Sequence, residues 1–146
     1  MSTLESLIIA AHRALPEDIR SAPATIEELA AFESNFGPIP PAYRWYLEHC
    51  GGGVAGSEWL DDIHRLAKSH RKFQNECGEG GWTLRDVFII GWDGGGNPFG
   101  ISTKTGEVVV EDHDFGGIHV LAPSFETFLA RSMRVVPSAS DTSNES

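Results

Sequence analysis

The sequence predicts an α+β domain. Its centre is an antiparallel β-sheet, a meander of about four strands plus one or two shorter ones, flanked by N-terminal, middle and C-terminal α-helices. Three observations lead there. Four apolar runs between Val87 and Leu121 are separated by the short turn clusters Asp93–Gly96, Thr103–Gly106 and Asp114–Gly117, and turns that short join neighbouring strands antiparallel. Ahead of them, apolar residues recur at helical spacing in four segments. Behind them, Phe125, Phe128 and Leu129 share one face of a closing helix.

The first helix runs from Ser2 or Thr3 to about Leu15, with Leu4, Leu7, Ile8, Ala11 and Leu15 at helical spacing and Pro16 marking its end. A polar linker leads to Pro23. Thr25 and Glu28 have the spacing of a capping box, in which each side chain accepts from a backbone N–H at the helix start. The helix they open carries Ile26, Leu29, Phe32 and Phe36 on one face and stops at Gly37–Pro38. Pro40 and Pro41 suit the first turn of a third helix, where a missing N–H costs nothing; Tyr43, Tyr46, Leu47 and Cys50 form its apolar face. Gly51 to Gly53 end it, and Val54 to Trp59 reads as one short strand. Asp61 or Asp62 then caps a helix to about Cys77, a strand over Ile63–Leu66 being the alternative. Arg65, Lys68, Arg71 and Lys72 make it the locally basic part of the chain.

Val87–Trp92 is apolar on both faces and predicts a central, doubly covered strand. Asn97–Ser102, Glu107–Asp112 and Ile118–Leu121 complete the meander, and Pro123 or Ser124 opens the last helix. After Val136 the sequence PSASDTSNES has too little apolar surface to bury and is expected to be disordered. The expectation is thus a single domain over residues 1–136 with a disordered tail over 137–146, a length that supports one substantial core.

With 21 acidic against 11 basic residues the chain carries a formal charge of −10. That disfavours nucleic acid and anionic membrane as partners, since both attract basic surfaces; it fits a solvated acidic surface or a basic protein partner. Cys50 and Cys77 are too few for a disulfide framework and are expected as free thiols of a cytoplasmic protein. The apolar run Leu7–Ala11 is shorter than a membrane span or the centre of an export signal, so neither is expected.

Four segments, in order, resemble the SUKH superfamily in its Smi/Knr-type branch: TIEELAAFESNFG (Thr25–Gly37), PPAYRWYLEHCGGG (Pro40–Gly53), IIGWDGGGNPFGISTKTGEVVVEDHD (Ile89–Asp114) and APSFETFL (Ala122–Leu129). His49 and Cys50 depart from the Asn that often precedes the glycines in that family. The resemblance implies an antiparallel sheet with flanking helices. It also implies a binding protein without enzymatic activity: bacterial members are immunity proteins that bind a cognate toxin, often a nuclease, of a polymorphic toxin system, and the fungal branch is regulatory.

Candidate sites divide by chemistry. Trp92–Pro98 is glycine-rich but has no P-loop lysine and opens no helix, so it reads as a hairpin that Asp93 and Asn97 cap. Glu111–Asp114 (EDHD), with His119, carries good metal ligands, yet adjacent residues of a strand face opposite ways, and the segment reads as an acidic strand end. His49–Cys50 are helix neighbours facing apart, and His64, His70 and Cys77 have poor zinc spacing. No cofactor, metal or catalytic residue is assigned. The partner-binding residues expected are Asp93, Glu111, Asp112 and Asp114 as acidic contacts, with Trp59 and Trp92 as apolar anchors. Acidic contacts match a nuclease, which is basic because it attracts phosphates. The competing expectations are a regulatory scaffold with an endogenous partner and a metal-dependent enzyme using the 111–119 cluster.

Overall fold

The computed structural model describes residues 1–135; the tail expected to be disordered lies outside the described residues. Helix α1 (Thr3–Arg13) starts at a capping box made by Ser2 and Glu5. It ends before the expected Leu15, and a single 3-10 turn, Glu17–Ile19, carries the chain onward. Helix α2 (Ile26–Phe36) begins at the Thr25–Glu28 capping box, as its sequence predicts, and stops where Gly37 takes φ +95°. Helix α3 (Pro41–His49) has a proline in its first turn.

The glycines after α3 are required by close approach. A Cβ on Gly51 would meet the Ala22 carbonyl oxygen at 2.1 Å, and one on Gly52 would lie 2.9 Å from the Asp62 backbone. The bare backbone also lets the His12 ring donate to the Gly52 carbonyl at 2.8 Å, fixing α1 to this crossing.

In place of one strand over Val54–Trp59 there is a hairpin, β1 (Gly53–Ala55) and β2 (Glu58–Leu60). Gly56, at φ +66°, supplies the turn that the one-strand reading overlooked. The region 61–77 is one helix, α4 (Ile63–Gly78), and Asp62 caps it by accepting from the amides of His64 and Arg65.

The meander forms as predicted, with β3 (Val87–Trp92), β4 (Pro98–Ser102), β5 (Val108–Glu111) and β6 (Ile118–Ala122) paired antiparallel in sequence order. One detail is corrected: β3 is covered on both faces but stands first in the ladder, not in the middle. Its outer side meets the end of β2, where the Asp61 amide donates to the Ile90 carbonyl at 2.9 Å. Helix α5 (Phe125–Met133) follows, capped by Ser124.

Strand alternation divides the core. Phe88, Ile90, Phe99, Ile101, Val108 and Val110 pack with buried residues of α1, α2, α3 and α5. Ile89 and Val109, on the other face, meet Leu84 and Phe73 in a smaller cluster. Burying some two dozen apolar side chains, at about 1.5–3 kcal/mol each, is the main force assembling the α+β fold.

Candidate functional site

Strands that alternate in direction bring every second turn to the same end of the sheet. The β3–β4 turn and the β5–β6 turn therefore lie side by side. In the first, Asp93 Oδ1 accepts from the amides of Gly95 and Asn97, each at 2.9 Å, and Oδ2 accepts from the Asn97 side chain at 3.2 Å. In the second, Asp112 Oδ1 accepts from the amides of Asp114 (2.8 Å) and Phe115 (3.1 Å). Those bonds, the one from Phe115 foremost, hold the Asp112 carboxyl below the usual carboxylate range. Asn97 is buried and joins the two turns: its Oδ1 accepts from the His113 amide at 2.9 Å and from the His113 ring. Exposed Asp114 lies 3.2 Å from the other His113 ring nitrogen. Asp93, Asp112 and Asp114 thus form one pinned acidic rim.

Glu111 does not belong to it. The side chain expected as an acidic contact is 8% exposed. Its carboxylate accepts from the Thr83 amide (2.8 Å), the Thr83 hydroxyl (2.9 Å) and the Leu84 amide (3.0 Å). As the last residue of β5 it points across the sheet to the segment before β3, and it is a structural clamp.

The two tryptophans flank α4. Trp92, at the end of β3, carries the Lys72 ammonium 3.6 Å from its ring centroid and meets the Trp82 ring edge-on. Trp59, on β2, carries the Arg65 guanidinium at 5.1 Å. Such cation–π contacts hold α4 against the sheet end. Both half-buried indoles line one cavity of about 230 Å³ with Asp61, Arg65, Lys68 and Ser69. Asp61 figures in the sequence reading only as a candidate helix cap. Its carboxyl is buried, accepts the Ser69 hydroxyl, and is pushed up to about 6, chiefly by burial. The adjacent pair Asp61–Asp62 was the available signal: only one can cap a helix, and the other must go elsewhere.

The remaining candidates separate. The His49 ring stacks on Trp45 and bonds to its carbonyl. Cys50 and Cys77 are free; burial pushes the Cys50 thiol up to about 12, so it is not an activated nucleophile at neutral pH. His64 faces Glu28 from outside, whereas His70 sits among Phe32, Phe36 and Phe88 and donates to the Ile89 carbonyl. Among the described residues, no three His, Cys, Asp or Glu side chains converge as metal ligands.

The acidic rim thus lies beside half-buried aromatics, its two turns tied together by Asn97. Residues 23–131 match the sequence model of the SMI1/KNR4 family (SUKH-1), and the chain belongs to that family. The family is known for immunity proteins, which are generally binding proteins rather than enzymes. No curated protein matches the chain. Among the described residues, no helix is long and apolar enough to cross a membrane.

Proposed function

We propose that this protein is a cytoplasmic immunity protein that binds and neutralises a cognate nuclease-type toxin of a polymorphic toxin system. The observation that carries the reading is the joining of the two acidic turns through Asn97. Asp93, Asp112 and Asp114 are held at fixed spacing beside Trp92, on a chain of formal charge −10. Such a rim complements the phosphate-binding surface of a nuclease and speeds association by steering. Trp92, which precedes Asp93, and Trp59, which shares a cavity with Trp92, are the apolar anchors of this reading. Family membership supports the reading at the level of an immunity or binding protein.

The test uses the toxin encoded beside this protein's gene. Asp93→Asn and Asp112→Asn keep a side-chain oxygen to cap each turn, and Asp114→Lys reverses an exposed charge. Together they are expected to weaken the complex on the order of tenfold at low salt and to flatten its salt dependence. A correctly folded triple variant with unchanged affinity and salt dependence overturns the rim as the contact. A gene with no toxin beside it, and an endogenous partner that binds the rim, transfers the reading to a regulatory protein.

A further inference from the structure

Strand β6 ends the four-stranded ladder, and among the described residues no strand pairs with its outer side. The Asp112 amide donates to the Gly117 carbonyl at 3.0 Å. Backbone groups alternate in direction along a strand, so the amides of Ile118 and Val120 point away from β5. Their side chains share a face with Glu111 and Val109, the residues they pair with. On that face Leu84 and Phe73 pack with Ile89 and Val109. The cover stops there, for Ile118 is 49% exposed and Val120 56%. Leu121 and Phe115 are exposed as well. Edge strands are ordinarily guarded against pairing by charges or prolines, and Ile118–Leu121 has neither; the register shift against β5 lies past Val120. No Asp, Glu, Lys or Arg stands between Asp114 and Glu126, on a chain of formal charge −10.

We propose that β6 pairs antiparallel with β6 of a second copy of this chain, joining the two sheets into one. Residues that exchange hydrogen bonds across such a pair must both turn their backbone groups outward. That sets Ile118 of each copy against Val120 of the other. Opposed residues share a face, so two isoleucines and two valines meet over the uncovered part of the sheet. The same register carries the exposed Phe115 toward Leu121 and Pro123 of the other copy. Charge selects this occupant. A basic partner finds no carboxylate along β6 to match its own charge, whereas a second copy finds a stretch of surface that does not repel it. The polar segment 137–146 has no large apolar side chain to lay over Ile118 and Val120. Antiparallel pairing puts the two β5–β6 turns at opposite ends of the joined sheet, so each copy keeps its acidic rim open, and pairing does not depend on a toxin. Two short strands bury less than the roughly 1,200 Å² of a standard stable complex, so the dimer is weak and forms at high local concentration.

Sedimentation velocity of the full chain, from micromolar to millimolar concentration, is the test. A monomer–dimer equilibrium is expected. It should tighten as salt screens the repulsion between two chains of charge −10, the reverse of the salt dependence expected for the toxin complex. Val120→Lys puts a charge into the apolar pair on both copies and should weaken the dimer on the order of tenfold. The side chain is half-exposed, so the variant is expected to fold, with an unchanged thermal midpoint as the check. Ile26→Lys makes the same kind of change at an exposed isoleucine of α2 and should leave the dimer unchanged. Hydrogen exchange in the parent, which needs no variant, should slow at the Ile118 and Val120 amides as the dimer forms. A chain that stays monomeric at millimolar concentration in high salt overturns the proposal. So does a dimer that Val120→Lys leaves intact or that Ile26→Lys weakens equally. Amides of Ile118 and Val120 that are protected in the monomer and released by deleting residues 136–146 assign the edge to the chain's own end. Protection gained only on adding the toxin assigns it to a strand of that partner. Either result overturns the second copy.

Discussion

Asp61 is a buried carboxylate whose ionisation opposes folding. Its carboxyl is raised from 3.8 to about 6, burial being the largest cause, with the Ser69 hydroxyl and Arg65 only partly offsetting it. The folded state thus holds this proton more tightly than the unfolded one. The favourable contribution is complete below about pH 4 and is lost as pH rises through about 6. At pH 7.5 the difference of roughly two pKa units corresponds to about 3 kcal/mol of lost stability. Asp61→Asn is neutral at every pH, and its amide oxygen can still accept from Ser69. The variant is expected to exceed the parent by up to about 3 kcal/mol at pH 7.5, a gap shrinking to below about 1 kcal/mol at pH 4. Urea denaturation of both proteins across this range measures the gap directly, and taking the difference cancels all other titrating groups. A variant less stable than the parent at pH 7.5, or a gap independent of pH, refutes the account. A residue that costs stability where the fold has no need of a charge is the kind found at functional sites, which connects Asp61 to the cavity it floors.

Two other expectations concern stability. Glu111→Ala leaves the Thr83 amide and the buried Leu84 amide without their acceptor and should cost about 3 kcal/mol, with Glu111→Gln costing less because it keeps one oxygen; urea denaturation decides, and an alanine variant as stable as the parent rules out the clamp. Burial lowers the pKa of His70, so its stabilising contribution is present above its ordinary value and is lost as pH falls below about 6.5. His70→Gln, which can still donate to the Ile89 carbonyl, should lose less stability between pH 6.5 and 5 than the parent; parallel profiles would contradict this.

The meander was legible because its information is local. Each turn cluster is short enough to force antiparallel pairing, and the apolar runs between them have the length of strands. The Thr25–Glu28 cap was legible for the same reason, since both partners lie within one helical turn. Where the reading failed, the deciding contact was distant in sequence. Glu111 read as an exposed acid because nothing near it in the chain reveals amides 27 and 28 residues away. The β1–β2 hairpin was read as one strand because Gly56 is a single residue of turn signal inside a short apolar run. The place of β3 at the start of the ladder depends on β2, which no local pattern places beside it.

Asp93, Asp112 and Asp114 stand in or beside turn clusters that are visible in the sequence, and the parity of an antiparallel meander already sets those turns at one end of the sheet. Their union into one rim depends on the bond between Asn97 and His113, 16 residues apart. The sequence by itself determined the fold class, the Thr25–Glu28 cap, the antiparallel meander and the acidic character, because periodicity, turn chemistry and charge act over a few residues or over the whole chain at once. Only the tertiary structure decided which carboxylate is a clamp, which is buried at a cost, and which tryptophans share a cavity with cations. Those outcomes depend on desolvation and on partners brought together by packing, and neither is a property of any short stretch of chain.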